Sequence, residues 1–169
     1  MTITSRSKAE EDPKSKKKCV LLTARVHPGE TVGSWMMRGL INFLTDPVNK
    51  EAQLLRDNFI FKIVPMLNPD GVINGNYRCS LAGCDLNRRW KFPNKILHPT
   101  IYATKKLVKT IQAERQIVLF CDMHGHSRKQ NVFIYGCDSK QEPEKCRVLP
   151  YILSKLNSIF SFESSNFGI

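Results

Sequence analysis

Cys19-Val20-Leu21-Leu22-Thr23-Ala24-Arg25-Val26-His27-Pro28-Gly29-Glu30 is the stretch on which the fold turns. Its first eight residues are a nearly unbroken apolar run, the pattern of a strand buried on both faces. Pro28 and Gly29 then reverse the chain and a helical pattern follows. His27 and Glu30 therefore stand on a strand-to-helix turn, where an imidazole and a carboxylate three residues apart can face one ion. A second apolar run, Ile117-Val118-Leu119-Phe120-Cys121, leads to His124, so another strand brings a third donor. His-x-x-Glu followed by a distant His is one way a sequence writes a catalytic zinc site, with three protein ligands and a position left open for water. Taken alone, the same residues also read as a surface ion pair or a helix cap. The chain has only four histidines, and three of them lie where an apolar strand gives way to a turn. That distribution favours the metal reading.

Working outward, Val32, Trp35, Met36, Leu40, Phe43 and Leu44 recur at three- and four-residue spacing, which predicts an amphipathic helix started by Glu30 or Thr31 with this stripe on the sheet. Asp46-Pro47 closes it, and residues 51–56 suggest a short second helix. Residues 59–67 read as a central strand with a proline at its exit, and residues 68–98 as a long polar excursion of the kind that is usually functional. Helices are expected over 99–113 and 149–160, and a strand over 132–135. Strands interleaved with helices argue for an α/β fold with a mixed, mostly parallel sheet flanked by helices.

Charge is lopsided: 26 Lys and Arg against 15 Asp and Glu give a net +11. Residues 1–18 hold +3 of it, lack apolar periodicity and include Lys14-Ser15-Lys16-Lys17-Lys18, so they read as a basic, disordered arm preceding a domain over 19–169. The domain keeps +8 and is basic in its own right, which favours encounter with acidic partners by long-range steering. No zinc-knuckle spacing, RNP-like aromatic motif or recognition-helix pattern accompanies that charge, so no specific nucleic-acid partner is expected. Six cysteines at 19, 79, 84, 121, 137 and 146 contain no C-x-x-C pair and read as thiols of a reducing compartment. With no apolar signal-peptide core and no run of about 18 apolar residues, the expected location is the cytoplasm and no membrane contact is expected.

Between the two ligand segments lie Asn68-Pro69-Asp70-Gly71-Val72, Gly75-Asn76-Tyr77-Arg78 and Asp85-Leu86-Asn87-Arg88-Arg89-Trp90. With H-P-G-E before them and D-M-H-G-H-S after them, these motifs make residues 24–136 resemble the M14-type zinc carboxypeptidases, specifically the cytosolic carboxypeptidases that trim C-terminal residues, largely glutamates, from tubulin and other proteins. The resemblance implies one Zn²⁺ per chain on His27, Glu30 and His124, and substrate binding by Asn87 and Arg88. An exopeptidase must hold a terminal carboxylate, and a planar guanidinium offers two parallel donors that match its oxygens. The resemblance further implies that Arg78 stabilises the oxyanion and that Asp85 accepts the second ring N–H of His27, fixing its tautomer. Acidic C-terminal tails such as those of polyglutamylated tubulin are the implied partners. Without the family, Arg78, Asp85 and Arg88 read as surface ion pairs. Asp122 reads either as electrostatic support or as a turn former, and His126 either as a substrate contact or as a solvent-facing imidazole beside Ser127-Arg128-Lys129.

The implied chemistry is metal-assisted hydrolysis, in which a carboxylate takes a proton from water activated by zinc. In the family the general-base glutamate lies in a Tyr-Thr-x-Glu-Ser-like strand well beyond the third ligand. Glu142 and Glu144 sit in a loop and Glu163 follows His124 too soon, so a general base is not expected in this chain. The fold is accordingly expected to be the front portion of a zinc carboxypeptidase catalytic domain, incomplete on its C-terminal side. Two other outcomes stay open: an inactive zinc- or polyglutamate-binding truncation product, and a related zinc deacylase.

Overall fold

The computed structural model describes residues 1–5, 16–139 and 141–168. The chain divides into two compact units, Met1–Gly125 and His126–Ile169. In the first, strands β1 (Thr2–Ile3), β2 (Lys18–Ala24), β3 (Phe59–Val64) and β4 (Ile117–Met123) form one sheet in the order β1-β3-β2-β4. Both neighbours of β2 run parallel to it, and β1 pairs antiparallel with β3, so the sheet is mixed and mostly parallel as expected. Helices α1 (Thr31–Thr45) and α2 (Lys50–Asn58) connect β2 to β3. A short helix α3 (Pro69–Ile73), a 3₁₀ turn (Leu86–Arg88) and helix α4 (Pro99–Glu114) connect β3 to β4.

The position of β2 follows from its composition. Its residues from Cys19 to the end are all buried, which only a central strand covered on both faces can sustain. Val20, Leu22 and Ala24 point into a cluster with Met37 and Leu44 of α1 and Phe61 and Ile63 of β3. Leu21 points the opposite way and shares a groove with Val108 and Gln112 of α4. A second cluster, Val26, Leu67, Leu86 and Ile101, lies where the chain leaves the strands, and it anchors the long excursion that carries the site.

Three expectations are corrected in this unit. The sheet-facing stripe of α1 is Gly33, Met37 and Leu44 with Leu40 and Ile41 packed beside them, whereas Val32, Trp35 and Phe43 are open to solvent. Gly33 sets that phase: a Cβ there would lie 2.8 Å from the Met123 carbonyl oxygen, so only a glycine lets the first turn sit against the end of β4. Residues 1–18 are not wholly a solvated arm. Thr2 and Ile3 pair with Lys62 and Phe61, the Met1 ammonium donates to the Ile63 carbonyl at 2.9 Å, and Lys17 is buried with its Nζ on the carbonyls of Ser5 (2.7 Å) and Arg56 (2.9 Å). Residues 6–15 of the expected arm lie outside the described residues. Finally, β3 stops at Val64, before Pro65, and the polar excursion contains the two short helical turns named above.

The second unit holds strands β5 (Tyr135–Gly136) and β6 (Asn166–Phe167), paired in parallel, and helix α5 (Lys145–Leu156). The strand expected over 132–135 shrinks to β5 plus a single bridge between Val132 and Phe160. The helix expected over 149–160 begins earlier and ends earlier, with Pro150 buried inside it rather than at its start.

Core placement makes a direct prediction for chemical denaturation. Met37→Ala removes a side chain buried among Val20, Leu22 and Phe61 and should lower stability by about 2–5 kcal/mol. Trp35→Ala removes a larger side chain that is 64% exposed and lies under Arg38, and should cost less than about 1 kcal/mol.

Candidate metal centre

The site is built where β2 and β4 end side by side. Beyond Ala24 the chain passes through Arg25, whose φ of +59° lies in the left-handed region. That conformation costs a non-glycine residue roughly 1–2 kcal/mol. Arg25 offsets the cost with its own side chain, donating from Nε to the Pro28 carbonyl at 2.7 Å and from Nη1 to Ser34 Oγ at 2.6 Å, so one guanidinium ties the His27–Glu30 turn to the first turn of α1. The Gly29 N–H donates to the Tyr77 carbonyl at 2.7 Å, which presses the excursion onto the turn.

Asn68-Pro69-Asp70-Gly71 now acquires a structural reason. Buried Asn68 donates from Nδ2 to the Val26 carbonyl at 3.1 Å and accepts the Gly71 N–H at 3.0 Å, joining the strand end to the first turn of α3. A Cβ at Gly71 would meet Pro28 Cγ at 2.5 Å, so glycine is what lets this segment lie against the turn.

Those constraints bring together the three residues the sequence marks. His27 Nδ1 lies 2.7 Å from Glu30 Oε1, and His124 Nδ1 lies 3.1 Å from Glu30 Oε2. One donor atom from each of His27, Glu30 and His124 lies within 4.8 Å of the others, close enough to share an ion. The far nitrogen of each ring is committed elsewhere: His27 Nε2 to Asp85 Oδ1 at 3.1 Å, and His124 Nε2 to Asp122 Oδ2 at 2.9 Å. With Nε2 donating to a carboxylate, the Nδ1 lone pair of each neutral imidazole points at the Glu30 carboxylate. Such a convergence of electron pairs requires a positive charge in its midst, either protons on the rings or a metal ion.

The electrostatics of the metal-free protein agree. Burial opposes ionisation of Glu30, yet hydrogen bonds from His124, His27 and the Gly125 N–H (2.8 Å) outweigh it and hold the carboxyl well below the usual carboxylate range. Burial likewise works against protonation of His124, but Asp122 and Glu30 overcome it and carry that imidazole up to about 9. The donor set of two imidazole nitrogens and a carboxylate, each ring backed by a second carboxylate, fits Zn²⁺.

The remaining marked residues divide. Asp85 lies on His27 and also accepts the Asn87 N–H at 2.9 Å and Arg78 Nε and Nη2 at 2.9 and 2.7 Å. Arg78 therefore reaches the centre through Asp85. Asn87 accepts Trp90 Nε1 at 3.0 Å. Arg88 is exposed, and among the described residues its guanidinium has no hydrogen-bond or ion-pair partner. His126 lies in the second unit, where its Nδ1 accepts the Arg128 and Lys129 N–H groups. His98, the fourth histidine, is buried at the start of α4 and accepts the Asn94 N–H at 2.9 Å. Asp122 is no turn former: it lies within β4 and touches His124 directly. Alternation along a strand puts residues two apart on one face, so Asp-x-His at a strand end was the available signal.

With this geometry in place, comparison with known proteins is decisive for the family. The peptidase M14 zinc carboxypeptidase family model matches residues 1–160. The chain belongs to the zinc carboxypeptidase family. Cytosolic carboxypeptidase 2 of Danio rerio is 51% identical across 99% of this chain, which covers 23% of that protein. Cytosolic carboxypeptidase 2 of Xenopus tropicalis is 56% identical across 92% of this chain, which covers 16% of that protein. A crystal structure of a metallo-carboxypeptidase from Burkholderia cenocepacia superposes with a TM-score of 0.83 at 26% identity, covering 99% of this chain and 44% of that one. The chain thus spans less than a quarter of the length of these two curated relatives.

The raised His124 gives a pH signature. A protonated His124 stabilises the folded, metal-free protein; that contribution is complete below the ordinary imidazole value of 6.5 and is lost as pH rises through about 9. In the presence of chelator, the stability gap between the wild type and His124→Asn should therefore narrow steadily from pH 6.5 to pH 9.5. A gap independent of pH would contradict the arrangement.

Proposed function

We propose that this protein is a zinc metallocarboxypeptidase that removes C-terminal residues, glutamates in particular, from acidic protein tails such as those of tubulin, and that it works in the cytoplasm. The observation that carries the reading is the convergence of one donor atom each from His27, Glu30 and His124 within 4.8 Å, each imidazole backed by an aspartate. His27, Glu30 and His124 are the residues that would hold the ion. Zinc, when bound, polarises a peptide carbonyl and lowers the pKa of water toward neutrality.

The protein's own groups supply substrate binding and positive charge. Arg88, exposed and without a partner among the described residues, is available for the two oxygens of a substrate's terminal carboxylate. Asn87 is held one residue away by Trp90 and adds a polar amide at the same place. Arg78, steadied by Asp85 yet nearly half exposed, supplies positive charge beside the centre for an oxyanion. A net charge of +11 steers polyglutamate toward the protein, and six free thiols suit a reducing compartment. No helix among the described residues is long and apolar enough to cross a membrane.

Recognition of a free C-terminus is tested by binding rather than turnover. The zinc-loaded protein should bind a polyglutamate peptide with a free terminal carboxylate, and both amidation of that terminus and Arg88→Ala should weaken binding roughly 10- to 100-fold, the worth of charge-assisted hydrogen bonds. Equal affinity for free and amidated peptides would refute the exopeptidase reading.

A further inference from the structure

We propose that Thr23 is a positioning residue of the metal centre: its hydroxyl on β2 orients the Asp122 carboxylate on β4, which in turn fixes the ring of His124. The inference rests on the reading of His124 as a metal ligand and extends it to a residue two contacts away.

Thr23 and Asp122 are register partners in the parallel β2/β4 pair. Thr23 is fully buried, and its Oγ1 donates to Asp122 Oδ1 at 2.7 Å. The other carboxylate oxygen, Oδ2, accepts from His124 Nε2 at 2.9 Å. A threonine hydroxyl can satisfy itself locally on a main-chain group near its own residue. Here the hydroxyl crosses to the neighbouring strand and meets a carboxylate, and its β-branched side chain has little freedom to turn elsewhere.

The two imidazoles are held unequally, and this gives Thr23 its weight. Asp85, behind His27, is fixed by the Asn87 N–H and two Arg78 nitrogens in addition to the ring it supports. Asp122 has no such set: among the described residues, Thr23 is its one donor besides His124 itself. Without the hydroxyl, nothing but the ring would orient the carboxylate that is meant to orient the ring. The carboxylate also raises the basicity of the imidazole it supports, so its geometry bears on metal affinity as well as on ring orientation.

Zinc affinity, measured by competition with a chromophoric chelator, tests this on the 169-residue protein. Thr23→Val keeps the shape and removes the hydroxyl, and should weaken zinc binding about 10-fold, within the 10- to 100-fold range for residues behind a metal ligand. Thr23→Ser restores the hydroxyl and should bring affinity back to within about threefold of wild type. Asp122→Asn should weaken binding at least as much as Thr23→Val, and adding Thr23→Val to it should produce no further loss, because the hydroxyl acts only through the carboxylate. Thr23→Ala is a second deletion of the hydroxyl, so a valine variant that fails to fold leaves the comparison with serine intact. A merely structural Thr23 would move thermal stability without this pattern of rescue and non-additivity. If wild type binds zinc, His27→Ala abolishes it and Thr23→Val and Thr23→Ala bind like wild type, the proposal falls while the centre stands. If His27→Ala binds zinc as well as wild type does, the centre itself is wrong.

Discussion

Everything about this site depends on electron pairs forced to meet. Asp85 and Asp122 occupy the Nε2 positions of His27 and His124, and so turn both Nδ1 lone pairs toward the two oxygens of Glu30. An array of that kind is repulsive unless a positive charge occupies it, and in keeping with that Asp122 and Glu30 carry the His124 imidazole up to about 9. The family's metal offers the same compensation with a divalent charge. The site is thus organised for a cation before any cation arrives, at the expense of local conformational freedom.

The fold exists to hold that arrangement. Parallel pairing makes β2 and β4 end together, so a turn following one strand and a histidine following the other reach the same place. Ligands outside the carboxyl ends of strands are the general habit of open α/β sheets. Three independent braces then remove slack from the His27 turn: the left-handed Arg25 with its two side-chain bonds, the buried Asn68, and the Tyr77 carbonyl on Gly29. Each brace comes from a different stretch of chain. The motifs between the ligand segments are therefore partly scaffolding.

Much of this was legible in the sequence. The nearly unbroken apolar run from Cys19 reads as a buried strand and Pro28-Gly29 as a turn, so the sequence itself puts His27 and Glu30 on a strand-to-helix turn. His124 followed from the same logic at the end of a second apolar run. Asp122 stayed ambiguous in the sequence, because a carboxylate near a strand end is ordinarily a turn residue and only strand register shows it facing Thr23. Arg25 gave no signal: nothing in its neighbours announces a positive φ. The facing stripe of α1 was misjudged because hydrophobicity picked Val32 and Trp35, while the helix phase is set by close approach at Gly33. Thr2 and Ile3 were lost in a charged arm because a two-residue edge strand has too little pattern to detect.

The central claim is that two imidazole nitrogens and one carboxylate of this chain bind a single zinc ion. X-ray absorption at the zinc edge of the loaded protein tests it most directly. The account predicts two imidazole nitrogens at about 2.0–2.1 Å, with oxygen ligands completing the shell and no sulfur. A shell containing thiolate at about 2.3 Å, or lacking imidazole altogether, would place the metal elsewhere and contradict it.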